Sequence, residues 1–349
     1  MRIMSLVGAR PQFIKEAVLH MEFQRLNIEE ILVNSGQHYD HNMSDIFFDN
    51  FKIKKPDYNI GVGSGSHAEM TAKVMVDFEK IVVAEKPDWI LVYGDTNTTL
   101  AGAIVASKLK VPLAHIEAGI RMLPKDMPEE INRTLTDKVS QLLFCASQRS
   151  VENLKNEGIE SGVHFTGDVM LDIFIKNSKK FKYNILEDSN LHESEYCVLT
   201  LHRDYNVDNK SALEKILRQL KKLSNELQII FPIHPRTKKN IENFSLQEYL
   251  KAIKTTEPLD YLSLMGLVSK SKFVITDSGG LQKESYYAEK PAILLMQDPA
   301  WHELVEEQIN VLAGDHDLFD LATSLKYANF KKGIYGDGTA GKKIVSLIN

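Results

Sequence analysis

The chain reads as an α/β protein of two Rossmann-like domains facing a cleft, and three observations lead there. Short apolar runs alternate with amphipathic helical stretches from residue 3 onward. The alternation stops in a polar, charged segment at Lys176–Glu195 and then restarts. In the second half, the stretch Phe273–Glu284 is an apolar run broken by Ser278, Gly279 and Gly280 just before a helical pattern from Leu281. Repeated βα units with right-handed crossovers favour parallel, doubly wound sheets. At 349 residues the chain is too long for one ordinary core and suits two domains of similar size. The expected division is residues 1–175, residues 176–335, and a terminal helix at 336–349 packing back on the N-terminal domain.

Taken in order, the apolar run Ile3–Val7 reads as a strand, Gln12–Leu26 as a helix and Glu30–Asn34 as a strand. The glycine-rich run Gly61–Ser66 follows no convincing strand and reads as a loop capped by Ser66 ahead of a long helix, His67–Lys86. Strands at Trp89–Tyr93, Leu113–Ile116 and Leu142–Cys145 then alternate with helices at Asn97–Lys108, Glu129–Gln141 and Gln148–Asn156, before the run Val163–Thr166. Lys176–Glu195 is the candidate linker. Beyond it come the strand Tyr196–Leu201, a helix Lys210–Ser224 capped at Asp208, and the strand Gln228–Ile233. The strands Lys272–Thr276, Pro291–Met296 and Asn310–Leu312, a helix near Leu318–Ala328, and a turn-rich piece Gly333–Gly341 leading into a short helix complete the chain.

Composition narrows the function classes. With 43% apolar and 26% charged residues and a net charge of −5, the chain lacks the basic excess of a nucleic-acid binder. Cys145 and Cys197 both sit in apolar strand-like runs, the setting of buried structural thiols, with no disulfide framework. The apolar start is too short for a signal peptide and no apolar segment reaches membrane-spanning length, so no membrane partner and a cytoplasmic protein are expected. No His or Cys cluster has metal-ligand spacing, and His38 and His41 lack a third ligand, so no metal is expected.

Ligands of open α/β sheets bind beyond the carboxyl ends of the strands. There the chain places Gly8 and Arg10, Gln37 and His38, Asp95, Glu117, His202 and Arg203, His234, and Ser278. Seven strands ending in acids, bases or anion donors form a pattern. The Ser278–Gly280 turn has the features of a phosphate cradle: glycines admit close approach, and a helix start offers unpaired N–H groups and partial positive charge. The same residues would also serve as a plain N-cap and tight turn. Arg10 and Lys15 are either anion partners or surface cations. Pro11 argues against a dinucleotide site, because Gly8-Ala-Arg10-Pro11 lacks the later glycines of a G-x-G-x-x-G turn. Asp95, Glu117 and Glu129 are three carboxylates on the cleft side, and crowding divides such groups into acid and base. Asp95 could instead cap a helix, and Glu129 could complement a helix dipole beside Glu130. His202 suits acid or base work near neutral pH, while His234 is equally suited to holding a turn.

Six stretches in order resemble the non-hydrolysing UDP-N-acetylglucosamine 2-epimerases: Gly8-Ala-Arg-Pro-Gln-Phe-Ile-Lys15, Tyr93-Gly-Asp-Thr-Asn-Thr-Thr99, His115-Ile-Glu-Ala-Gly-Ile-Arg121, Pro128-Glu-Glu-Ile-Asn-Arg133, Leu201-His-Arg203 and Thr276-Asp-Ser-Gly-Gly-Leu-Gln-Lys-Glu284. The resemblance runs on to the terminal Tyr335-Gly-Asp-Gly-Thr-Ala340 and covers essentially the whole chain. It implies a GT-B fold, a homodimer, no cofactor and no metal. The implied reaction inverts C2 of a UDP-linked 2-acetamido sugar for surface polysaccharide synthesis, by elimination of UDP to a 2-acetamidoglucal and re-addition. By resemblance Arg10, Lys15, His202 and the Ser278–Gly280 turn bind UDP, Arg203 and His234 join the substrate-binding set, and Glu284 takes the ribose hydroxyls. Asp95, Glu117 and Glu129, with His202, belong to proton transfer.

The chain departs from the commoner members at Gln37-His-Tyr-Asp-His41, where they carry Gln-His-Arg-Glu-Met, part of an allosteric site in some bacterial members. Substrate-activated regulation is therefore not expected. Leu259 stands where they have Gln, and Pro299-Ala-Trp301-His-Glu303 where they have Thr-Glu-Arg-Pro-Glu. Gln12-Phe-Ile-Lys15, Asn42–Phe48, Met127-Pro-Glu-Glu130 and Trp301 look closer to the branch acting on UDP-2,3-diacetamido-glucuronate, although Gln297 replaces that branch's usual Arg. The rival readings are that branch's 2-epimerase, a GT-B glycosyltransferase sharing the UDP cradle, and a nucleotide-sugar binding module without turnover.

Overall fold

The structure, a computed structural model, describes residues 1–36, 54–189, 191–299, 301–325 and 330–349. Gln37–His41, Asn42–Phe48 and Ala300 lie outside the described residues. The chain forms two compact units, residues 1–175 with 333–349, and residues 176–332. Each is built on a parallel sheet with helical connections, the pair of α/β domains from which the GT-B class is made.

The first unit holds β1 (Arg2–Val7), β2 (Glu29–Asn34), β3 (Tyr58–Asn59), β4 (Trp89–Tyr93), β5 (Leu113–Ala118), β6 (Leu142–Cys145) and β7 (Val163–Phe165). They pair in the order β3-β2-β1-β4-β5-β6-β7, every neighbouring pair parallel. In β1 the five residues Ile3–Val7 are all buried, and in β4 the four residues Ile90–Tyr93 are. Successive residues of a strand point to opposite faces, so an unbroken buried run means that both faces are covered. Burying each such Leu or Ile side chain contributes about 1.5–3 kcal/mol.

The second unit holds β8 (Tyr196–Thr200), β9 (Gln228–Pro232), β10 (Lys254–Thr256), β11 (Val274–Thr276), β12 (Ala292–Leu294) and β13 (Asn310–Leu312). Their order is β10-β9-β8-β11-β12-β13, again parallel throughout. Both sheets reverse their direction of growth at one point, between β1 and β4 in the first and between β8 and β11 in the second. A gap between outgoing connections opens there, which is where such sheets take ligands.

Several expectations need correction. The segment 176–195, at whose start the second unit begins, carries the end of the helix Val169–Asn177, a 3-10 turn Ser178–Lys180 and a helix Asn184–Ser189. The edge strands β3 (Tyr58–Asn59) and β10 (Lys254–Thr256) carry no apolar run to mark them. The helices Pro235–Asn243 and Tyr261–Lys270 are additional to the expected elements. Asn209 rather than Asp208 caps the helix Lys210–Leu223, accepting from the N–H groups of Ser211 and Ala212 at 2.9 and 3.1 Å. Ser66 caps His67–Glu85 as read, in a reciprocal arrangement with Glu69. Cys145 and Cys197 are fully buried free thiols. The terminal helix Ala340–Ile348 belongs to the first unit, where Asp172 accepts from the N–H groups of Ala340 and Gly341 at 3.0 and 2.9 Å. Gly341 lies so close to the first helix that a Cβ there would stand 2.5 Å from Val18 Cγ1. No helix among the described residues is long and apolar enough to cross a membrane.

Candidate active site

In the first unit the switch point is built around Gln12. The helix Arg10–Arg25 begins right after the β1 turn, with Pro11 in its first turn where no N–H partner is lost. Gly8 is required by crowding: a Cβ there would come within 2.1 Å of Ser35 Oγ and 2.4 Å of Thr98 Oγ1. The buried Gln12 amide oxygen accepts from Gly8 and Ala9 N–H at 2.8 and 3.0 Å, and its Nε2 donates to the Tyr93 carbonyl at 2.6 Å. One side chain thus joins the ends of β1 and β4. Arg10 is exposed at the helix start.

Lys15, one turn on, is buried, and its ammonium sits on the carboxylate of Glu117. Glu117 lies at the carboxyl end of β5 where the register with β6 shifts, and its φ is +71°. That left-handed conformation costs an L-residue about 1–2 kcal/mol. Such strain persists only where the surroundings over-determine it, as they often do at functional sites.

Asp95, after β4, does not cap the following helix; Thr96 does, its hydroxyl accepting from Thr99 N–H at 3.4 Å. The Asp95 carboxylate instead takes a charge-assisted hydrogen bond from Arg133 Nη2. Arg133 also donates from Nη1 to buried Glu130 at 2.9 Å, and Asn132 donates to the Asp95 carbonyl at 2.9 Å. The two cations come from the helix Pro128–Val139 and the first helix, and Asp95 and Glu117 are each paired with one of them. Glu129 stands exposed on the first turn of that helix, with no hydrogen bond among the described residues.

Sequence reasoning missed Arg133 and His115. Arg133 was legible as the fourth residue after Glu129, one helical turn along the same face. His115 is completely buried in β5, its Nδ1 2.7 Å from Asp137 Oδ1 and its Nε2 2.7 Å from the Gly94 carbonyl. Burial pushes the Asp137 carboxyl up, but His115 and Arg121 outweigh it and hold the group below its ordinary value. His115 therefore ties the Gly94 turn, which carries Asp95, to an anchored carboxylate.

In the second unit Asp277 is the organiser. Fully buried after β11, it accepts from the N–H of His202 at 2.9 Å, the N–H of Arg203 at 2.8 Å and Asn206 Nδ2 at 3.1 Å, while His202 Nδ1 stands 3.0 Å from its other oxygen. Burial raises this carboxyl, and the hydrogen bond and charge of His202, with Arg203 and Asn206, bring it below its ordinary value. The loop after β8 is so fastened to the turn after β11. Ser278 caps the helix Gly279–Tyr287, its hydroxyl accepting from Leu281 N–H at 3.4 Å. Gly280 is exposed, and a Cβ there would meet only Ser278 Oγ, at 3.9 Å. Packing does not demand a glycine at 280; approach by something in front of the turn would. Trp301 Nε1 donates to the Gly279 carbonyl at 2.8 Å, and Lys283 Nζ stands 3.7 Å from the centre of the Trp301 ring. Glu284 is half-buried on the same helix.

His234 caps the helix Pro235–Asn243, its Nδ1 accepting from Arg236 N–H at 3.2 Å, and its ring lies 5.8 Å from that of His202. Desolvation, then the neighbouring His202 and Arg236, lower its pKa. Of the predicted residues, Lys15, Asp95 and Glu117 gather at one sheet end, and His202, Arg203, His234 and the Ser278–Gly280 turn at the other.

The UDP-N-acetylglucosamine 2-epimerase family profile matches residues 21–349. A Methanococcus maripaludis UDP-N-acetylglucosamine 2-epimerase homolog is 42% identical, covering 100% of this chain and 99% of its own. The UDP-2,3-diacetamido-2,3-dideoxy-D-glucuronate 2-epimerase of Pseudomonas aeruginosa is 40% identical over 100% of this chain and 99% of its own. The crystal structure of Methanocaldococcus jannaschii UDP-GlcNAc 2-epimerase in complex with UDP-GlcNAc and UDP superposes with a TM-score of 0.87 at 38% identity, covering 100% of this chain and 99% of that one. With its two Rossmann-like α/β domains and these whole-length matches, the chain belongs to the UDP-N-acetylglucosamine 2-epimerase family of isomerases.

Proposed function

We propose that the protein inverts C2 of a UDP-linked 2-acetamido sugar by eliminating UDP and adding it back, as a cytoplasmic homodimer that supplies surface polysaccharide synthesis. The C2 hydrogen has no adjacent carbonyl and is not acidic. If the C1–O bond to UDP breaks first, C1 gains oxocarbenium character and the C2 proton becomes removable. The C–O electron pair leaves with UDP, the C2–H pair forms the C1–C2 double bond of a 2-acetamidoglucal, and the proton passes to a carboxylate. Re-addition of UDP to C1 with protonation of C2 from the other face gives the epimer.

This chemistry asks for a stabilised leaving diphosphate, an acid and a base at C2, and exclusion of water. The second unit offers the first through the Ser278–Gly280 turn, His202 and Arg203, with His234 beside them and Glu284 for the ribose. The first unit offers Arg10 as an anion partner and Asp95, Glu117 and Glu129 for the proton. The observation that carries the reading is that Asp95 and Glu117 end the adjacent strands β4 and β5, each anchored by its own cation, Arg133 and Lys15. A second reading, the same inversion on a UDP-2,3-diacetamido-uronate, is supported by the 40% identity to the Pseudomonas aeruginosa enzyme.

Incubation in D2O with each UDP-sugar in turn, followed by proton NMR, tests both. Deuterium at C2 of the accepted sugar, with slow release of UDP and glycal, is expected. Retention of hydrogen at C2 with both sugars, or sugar transfer only when an acceptor is added, would point instead to a glycosyltransferase.

A further inference from the structure

Besides Lys15, the first helix buries two more titratable side chains, Glu16 and His20. Glu16 and His20 lie four residues apart on it and so share a face, and Glu30 lies opposite them on β2. All three are buried, with relative exposures of 0%, 8% and 8%. One ligand-capable atom from each falls within 4.8 Å of the others. His20 Nδ1 is 2.5 Å from Glu30 Oε2. Neither Glu16 carboxylate oxygen has a hydrogen-bond partner among the described residues.

We propose that Glu16, His20 and Glu30 supply three ligands for one divalent transition-metal ion of the zinc type, with the remaining position taken by a second carboxylate oxygen or a water. A buried carboxylate with both oxygens unmet is costly, and a second carboxylate beside it makes it more so. The Lys54 ammonium binds the Glu30 backbone carbonyl and pairs with Asp57, and makes no hydrogen bond to either carboxylate of the pair. As ligands, two carboxylates and a neutral imidazole carry two negative charges, which one divalent cation balances.

The donor set of one imidazole and two carboxylates suits zinc and its neighbours better than magnesium or calcium, which take all-oxygen sites. Zinc bonds to nitrogen and oxygen are about 2.0–2.2 Å, so the three atoms need only close on a common centre while the His20–Glu30 contact opens to about 3.4 Å. Outer support is present: Ser5 Oγ donates to Glu30 Oε1 at 2.8 Å and lies 3.1 Å from the Tyr93 hydroxyl. Hydrogen-bonded carboxylates of this kind orient metal ligands. The ion would rivet the helix that carries Arg10 and Lys15 to β2. The site is independent of the sugar chemistry proposed above.

The test uses the full chain produced in zinc-supplemented medium, desalted, and analysed for metal per chain, together with thermal unfolding in zinc and in chelator. About one zinc per chain is expected, falling at least about tenfold in Glu16→Gln and in His20→Gln. Zinc should raise the wild-type unfolding midpoint and leave that of Glu16→Gln unchanged. Cobalt loading of the wild type, read by its visible ligand-field absorption, decides the matter even if the variants fail to fold. Wild-type metal content at background with no cobalt spectrum, as when Glu16 and Glu30 simply share a proton, overturns the proposal. Undiminished zinc in folded Glu16→Gln overturns it too.

Discussion

Lys15, on the first helix, holds Glu117, at the end of β5, in an ion pair whose two side chains are each only 10% exposed. Contacts this dry are not surface decoration. Removal of one partner leaves the other charge largely desolvated, and the cost of that orphan exceeds the net worth of the pair.

Lys15→Met should therefore destabilise the protein by about 3 kcal/mol. Adding Glu117→Gln should recover most of the loss, since it removes the orphaned charge. Urea denaturation of the two single variants and the double variant measures the coupling. Additive losses would mean that the two side chains act independently.

The left-handed backbone at Glu117 separates strain from chemistry. Glu117→Gly and Glu117→Ala both remove the carboxylate, but only glycine adopts that conformation without penalty. The glycine variant should be the more stable by about 1 kcal/mol, and both should lose epimerase turnover by about a hundredfold or more. Equal stability of the two, or turnover retained in either, would contradict this account of Glu117.

Asp277 is predicted to govern nucleotide affinity through the groups it holds. In Asp277→Asn the side chain keeps its shape but loses the charge facing His202, and it cannot accept the N–H groups of His202 and Arg203 as well as before. UDP binding measured by titration calorimetry should weaken at least about tenfold, or about 1.4 kcal/mol. An unchanged dissociation constant would detach Asp277 from the nucleotide site.

Asp172 should leave a signature in the pH dependence of stability. Its carboxyl is pushed up from 3.8 to about 6, mainly by burial and further by Asp168 and Asp337, against the pull of the Gly341 and Ala340 N–H groups. The folded state thus binds this proton more tightly than the unfolded chain. Stability from the group is full below the unfolded value and falls as pH rises through about 6. Asp172→Asn does not titrate, so the stability of wild type relative to the variant should decline between about pH 4 and pH 6 and level off above, read by urea denaturation. Parallel pH profiles would refute the assignment.

The strands were legible where a short apolar run is bounded by a turn, as in Trp89–Tyr93 and Leu142–Cys145 and in the edge strand Asn310–Leu312, where the expected and observed limits coincide. The edge strands β3 and β10 were not, since Tyr58–Asn59 and Lys254–Thr256 contain no apolar run to mark them. Asp95 could be placed after β4 from the sequence, but an aspartate before Thr-Asn-Thr-Thr fits a helix cap equally well. Only its contact with Arg133 separates the two roles.

The sequence by itself determined the alternation of elements, and with it the parallel sheets and the residues at their strand ends, because these depend on spacing along the chain. Tertiary structure decided who meets whom: Lys15 with Glu117, His115 with Asp137, Asp277 with His202, and Glu16 and His20 with Glu30. Those partners are separated by ten to roughly a hundred residues except within one helix, and no local pattern encodes a contact whose two halves are brought together only by strand order.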